Sequence, residues 1–225
     1  FAAFLTGCFP SHNQSTFDAT GPVARDQLAL FQLIFWVAVF VFVVVEGALV
    51  FALIRFRRKS AEQALPKQTH GNTPLEIAWT IVPIVLLLAI MVPTVTTIFA
   101  QAKDPSNATQ VKAIGHQWWF EFEYPELGIT TANELHVPVG RPVNVALESD
   151  DVIHSFWVPK LAGKTDLIPN HPNQMWFQAD EPGLYYGQCA EFCGTAHAQM
   201  RFRVIAQSQQ EFDQWVAGQL AGPAT

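Results

Sequence analysis

Twelve consecutive residues, Cys189-Ala190-Glu191-Phe192-Cys193-Gly194-Thr195-Ala196-His197-Ala198-Gln199-Met200, carry two thiols, an imidazole and a thioether. Each is a soft or borderline metal donor, and thiolate combined with thioether is the set that selects copper. Cys189 and Cys193 could instead pair as a loop disulfide, but a disulfide needs neither His197 four residues after Cys193 nor Met200 three after that. Four donors in one loop leave a two-metal site short of ligands. His116, His136, His154 and His171 are the candidates for a distant one. His154 opens the apolar run His154-Ser155-Phe156-Trp157, which reads as a strand; a lone His there is either a hydrogen-bonded core residue or a ligand.

The elements that must hold these donors are short strands. Beyond Gln110 the chain alternates apolar and polar residues between Pro, Gly and Asn turns. Val143, Val145 and Leu147 share one face. Met200, Phe202 and Val204 alternate against Arg201 and Arg203, which turns Met200 inward as a ligand requires. This pattern predicts an antiparallel sandwich or barrel. Ser208-Gln209-Gln210-Glu211 is a capping box, and it opens a closing helix with Phe212, Trp215, Val216 and Leu220 on one stripe. The stretch Gly115–Tyr124 is an aromatic strand whose alternation groups Trp118 with Phe120, Phe122 and Tyr124 and exposes Trp119.

Ahead of the strands the chemistry is that of a membrane. Half of the 225 residues are hydrophobic and 14% are charged, against roughly 25% in soluble domains. Leu28–Ile54 and about Leu75–Phe99 are long enough to cross a bilayer as helices. Arg55, Arg57, Arg58, Lys59 and Lys67 lie between them, so the connecting loop of about 55–73 is expected on the cytoplasmic side, with residues 1–27 and 101–225 outside. Six basic and five acidic residues occur up to position 100, seven and fourteen beyond it. The acidic outer part favours a cationic partner and disfavours nucleic acid. Two carboxylates interrupt the spans. Glu46 reads as a contact to a partner subunit, and Glu76 as a favourable charge in a helix's first turn. Leu5-Thr6-Gly7-Cys8 looks like a bacterial lipobox, with a lipidated Cys8 or the tail of a retained apolar segment as the two readings.

The sequence D-V-I-H-S at 151–155, followed by C-x-E-x-C-G-x-x-H-x-x-M at 189–200, resembles subunit II of the haem-copper cytochrome c oxidases. The likeness extends from the first apolar span to the end of the chain. It implies a two-helix transmembrane hairpin (28–100) and an outer cupredoxin-like domain (101–225) with a short C-terminal helix. It further implies a binuclear copper A centre. Cys189 and Cys193 would bridge two copper ions, His154 and His197 would each supply a nitrogen, and Met200 and the Glu191 carbonyl would be the weaker ligands. The Glu191 carboxylate would hold Mg2+ at the boundary with subunit I. Trp118 would admit the electron from cytochrome c, and Glu76, in E-x-x-W-T-x-x-P, would stand at the entrance of a proton pathway. Haems would belong to the partner subunit, since this chain has no C-x-x-C-H. The implied setting is the bacterial inner membrane, multi-pass, among lipid and other oxidase subunits and in a respiratory supercomplex, with the copper domain periplasmic. The implied activity is electron entry for oxygen reduction coupled to proton translocation. Trp118-Trp119-Phe120 replaces the family's usual W-Y-W, and Asn170-His171 stands where many relatives have Gly-Arg.

Three rivals have other chemistry. A thioredoxin-like copper carrier also uses C-x3-C with a distant His, but lacks the His and Met behind it. A zinc site of Cys189, Cys193, His154 and His197 would leave Met200 idle. A copper A subunit serving nitric oxide reduction differs only in its partner subunit.

Overall fold

The computed structural model describes residues 12–60, 68 and 70–222. The Leu5–Cys8 motif lies outside the described residues. Helix α1 spans Pro22–Arg55 and α2 spans Thr73–Gln101. At 1.5 Å per residue both exceed the ~30 Å of a hydrocarbon core, and both are apolar enough to cross one. Pro22 stands at the first helical position, where a missing N–H costs nothing. Asn72 caps α2: its side-chain oxygen accepts from the Leu75 N–H (3.3 Å), while Glu76 Oε1 accepts from the Asn72 N–H (3.0 Å). Within α2, the Thr80 and Thr94 hydroxyls donate to carbonyls four residues back at 2.9 and 2.8 Å, which keeps them satisfied without water.

The chain forms two compact units. One is Ala29–Thr97; the other joins the chain up to Leu28 with Ile98–Thr225. In the second unit the segment before α1 is tied down. Thr20 N–H donates to the Lys160 carbonyl (2.8 Å), Asp180 N–H donates to the Thr20 carbonyl (3.0 Å), and Arg25 pairs with Asp180 at 2.6 Å.

The strands are β1 Thr109–His116, β2 Trp119–Tyr124, β3 Ile129–Ala132, β4 Glu134–Pro138, β5 Val143–Ser149, β6 His154–Trp157, β7 Thr165–Leu167, β8 Asn173–Phe177, β9 Gly183–Cys189 and β10 Arg201–Gln207. They build two five-stranded sheets, ordered β3-β2-β1-β5-β8 and β4-β10-β9-β6-β7. The expected antiparallel sandwich is modified in two pairs: β1 pairs with β5, and β4 with β10, in parallel. Side-chain alternation encodes which face is buried but not the direction of the neighbouring strand.

The inner faces follow the alternation closely. Val143, Val145, Leu147, Phe120 and Phe122 are fully buried. Phe120 and Phe122 of one sheet meet Phe156 and Phe202 of the other, with centroids 4.8 Å apart for Phe120–Phe202 and 6.3 Å for Phe122–Phe156. Edge-to-face rings at these separations lock the sheets together. Helix α3, Gln209–Ala221, closes the domain. Ser208 Oγ accepts from the Glu211 N–H and the Glu211 carboxylate accepts from the Ser208 N–H, completing the capping box. Phe212 is buried and Trp215 stacks on His136 at 4.3 Å. Leu220 is exposed, so the apolar stripe ends at Val216.

Candidate metal centre

Strands β10, β9 and β6 lie side by side, and each delivers a donor at one end. Phe156 pairs with Cys189 across β6 and β9. His154, two residues before Phe156, therefore projects to the same side as Phe156 and reaches Cys189 although 35 positions separate them. Met200 directly precedes β10, and its carbonyl accepts from the Cys189 N–H at 2.9 Å. His197 opens the short 3-10 turn between these strands.

The donors converge on two free thiols. Cys189 Sγ and Cys193 Sγ are 3.7 Å apart. His154 Nδ1 lies 3.8 Å from Cys189 Sγ, and the Glu191 carbonyl 3.2 Å. His197 Nδ1 lies 3.6 Å from Cys193 Sγ, and Met200 Sδ 3.7 Å. His154, Cys189, Cys193 and Met200 are buried, whereas the Glu191 side chain is exposed. Of the four candidate distant histidines only His154 is here. His116 stacks on Trp119 at 4.4 Å, His136 on Trp215, and His171 sits in a bridge with Ile168. Asn170 before it adopts φ 58°, a left-handed conformation that Asn tolerates in place of Gly.

Several residues outside the motif shape the cluster. Asp151 Oδ1 lies 2.7 Å from His154 Nε2, so that nitrogen carries a proton and Nδ1 is the one turned toward the thiols. Gly115 allows the His154 ring its place, since a Cβ there would meet His154 Cδ2 at 2.6 Å. An Asp three residues before a His is a weak signal in sequence, and the Gly115 contact leaves none.

The two thiols sit in opposed environments. Burial raises both. At Cys189 the hydrogen bond with His154 and those with nearby backbone outweigh it and bring the pKa down to about 6. At Cys193 the neighbouring Cys189 sulfur adds to burial and pushes it up to about 12. The first thiolate forms easily and then resists the second. A cation between them removes that resistance, so the donor set fits a metal cluster.

Trp118 lies outside the aromatic strand. β2 begins at Trp119, so the inward alternation of Phe120, Phe122 and Tyr124 does not extend back to Trp118. The residue is 39% exposed, and its Nε1–H donates to the Cys193 carbonyl at 3.3 Å. Glu76 is remote in sequence from these residues and serves as the reciprocal cap of α2.

Two sheets closed by a helix, with thiol, imidazole and thioether donors at adjacent strand ends, define a cupredoxin-like domain with a candidate metal site, in a chain that also has two membrane-length helices. Residues 10–97 match the family model for the transmembrane domain of cytochrome c oxidase subunit II, and residues 127–207 the model for its periplasmic domain. Cytochrome c oxidase subunit 2 of Alkalihalophilus pseudofirmus is 44% identical over 97% of this chain and 66% of its own length. Quinol oxidase subunit 2 of Bacillus cereus is 33% identical over 95% of this chain and 75% of its own length. The crystal structure of the periplasmic domain of subunit II of cytochrome oxidase from Bradyrhizobium japonicum is similar with a TM-score of 0.51 and 32% identity. The match covers 53% of this chain and 99% of that one. The chain belongs to the cytochrome c oxidase subunit II family. It spans 66% of the length of the A. pseudofirmus relative and 49% of that of a second, from Bacillus sp. strain PS3.

Proposed function

We propose that this chain is the electron-entry subunit of a respiratory cytochrome c oxidase. It accepts single electrons from reduced cytochrome c at a binuclear copper A centre and passes them to haem in the catalytic subunit, where oxygen is reduced with proton translocation. The observation that carries this reading is the convergence of His154, Cys189, Glu191, Cys193, His197 and Met200 on one buried thiol pair.

A copper pair bound there supplies one-electron redox chemistry without a proton change. The protein's own part is to hold the donors still. The ends of β6, β9 and β10 fix His154, Cys189 and Met200, and Asp151 fixes the His154 tautomer. Buried Met200 would have no use in a tetrahedral zinc site, which speaks for copper. Trp118, exposed and bonded to the Cys193 carbonyl, is the electron's point of entry. The Glu191 carboxylate faces outward and would hold Mg2+ at the boundary with subunit I. Glu76 caps α2 and would admit protons at the cytoplasmic end. Glu46 would meet a partner subunit within the bilayer, in a bacterial inner membrane with residues 101–225 on the periplasmic side.

The quinol oxidase relatives raise a second donor class. A quinol dissolves in the bilayer and needs no soft-metal relay on an outer domain, so the intact donor set favours cytochrome c. Electron paramagnetic resonance on the purified assembly tests the proposal: one unpaired spin shared equally by two copper nuclei is expected. A single metal ion per chain contradicts it. Cys193→Ser should abolish cytochrome c oxidation while both helices remain inserted, and normal turnover in that variant would refute the assignment.

A further inference from the structure

Gln117 is placed where three parts of the site meet. Its backbone N–H donates to Asp151 Oδ2 at 2.7 Å, and the other oxygen of that carboxylate holds His154. Its side-chain Nε2 donates to the Cys193 carbonyl, also at 2.7 Å. The next residue, Trp118, donates to the same carbonyl. One residue thus ties the segment bearing His154 and the loop bearing Cys193 to the turn bearing the indole.

The far side of this contact is shaped to admit it. Gly194 adopts φ +120°, and a Cβ there would stand 3.0 Å from Gln117 Nε2 and 3.3 Å from Trp118 Nε1. The Cys193–Gly194 segment is therefore bare where the amide and the indole lie against it. Gln117 is an exposed residue, and an exposed glutamine ordinarily keeps its rotamer freedom. Here both its donors are engaged on opposite sides of the turn.

We propose that Gln117 is a positioning residue for electron entry. Its amide holds the Trp118 indole in register with the Cys193 carbonyl, so that the path from the exposed ring to the bridging thiol stays short. This inference rests on electron entry through Trp118. Gln117→Met keeps the length of the side chain and removes the donor. The altered chain, in the assembled oxidase, should retain two coppers and the unaltered paramagnetic spectrum. With cytochrome c its KM should stay within about two-fold while kcat falls about ten-fold, the scale of lost outer-shell support. Reduction by hexaammineruthenium(II), a small donor that can approach without the indole, should proceed at the normal rate.

In a Trp118→Phe background the same change should add less than about two-fold, because the two residues act as a unit. An unchanged kcat overturns the proposal, and so does a raised KM with normal kcat, which would make Gln117 a docking contact. Equal slowing with both donors also overturns it. If Gln117→Met loses copper, Gln117→Asn decides, since it keeps the amide on a shorter stem. Normal copper with slow cytochrome c oxidation supports the proposal; copper loss there too makes the amide a scaffold of the ligand loop and overturns it. Absence of a copper pair from the unaltered protein is a different result, and it refutes the proposed function instead.

Discussion

Cys189 and Cys193 are chemically identical side chains held in opposite protonation preferences. A depressed thiol pKa means that the folded protein favours thiolate between about 6 and the ordinary value of 9.0, and regains the proton below about 6. The raised value at Cys193 means that it keeps its proton throughout that window. Copper loading near neutral pH should therefore displace thiol protons mainly from Cys193. Retention should weaken as pH falls through about 6, where protons compete for Cys189 as well. Dialysis of the loaded protein across this range, followed by copper analysis, checks the sign; retention that improves with acidity contradicts it. Met200 affords a second test. Met200→Leu keeps apolar volume in a fully buried place, so thermal unfolding should show a loss under about 1.5 kcal/mol. The spectrum should change, since the thioether donor is gone. Met200 was legible because alternation with Phe202 and Val204 points it inward. Gln117 was not, because its hydrogen bonds to Asp151 and Cys193 span 34 and 76 positions that no local pattern records; Asp151, three residues before His154, left only a weak signal.

At the scale of elements, the meeting of β1 with β6 hangs on Gly115. Gly115→Ala places a methyl 2.6 Å from the His154 ring. Overpacking of this kind should cost about 1–3 kcal/mol and lower copper content together with stability. Gly218→Ala in α3 is the control. Nothing lies within 4 Å of the added Cβ, so a helix-interior Ala should stabilise by about 0.5–1 kcal/mol. Chemical denaturation with copper analysis on both variants separates the effects. The strands themselves were readable from alternation, and α3 from its capping box. Two features were not. The parallel pairing of β1 with β5 and of β4 with β10 depends on chain crossings that alternation leaves open. The turn that ends the aromatic run before Trp119 carries no Gly or Pro, so simple periodicity extends wrongly through Trp118.

Over the whole molecule, charge and hydropathy divide the chain as chemistry divides the membrane from its surroundings. Residues 101–225 carry seven basic and fourteen acidic groups. If the donor is a basic cytochrome c, its association should slow as ionic strength rises, because a Debye length near 8 Å at 0.15 M screens long-range attraction. Stopped-flow rates over a salt series measure this, and a rate independent of salt would argue against steering by the acidic domain. The family and the ligand motif stood out from sequence because six donors cluster in two short stretches.

The placement of those stretches governs when the centre can exist. Met200 reaches Cys189 through the local pairing of consecutive strands β9 and β10, but His154 and Cys189, 35 positions apart, become neighbours only once β6 has docked on β9. A pairing that distant in sequence is slow to form in the search for the native state. A nascent chain thus has no complete pocket to offer, and the cation must be a latecomer, delivered to a polypeptide whose architecture is already finished.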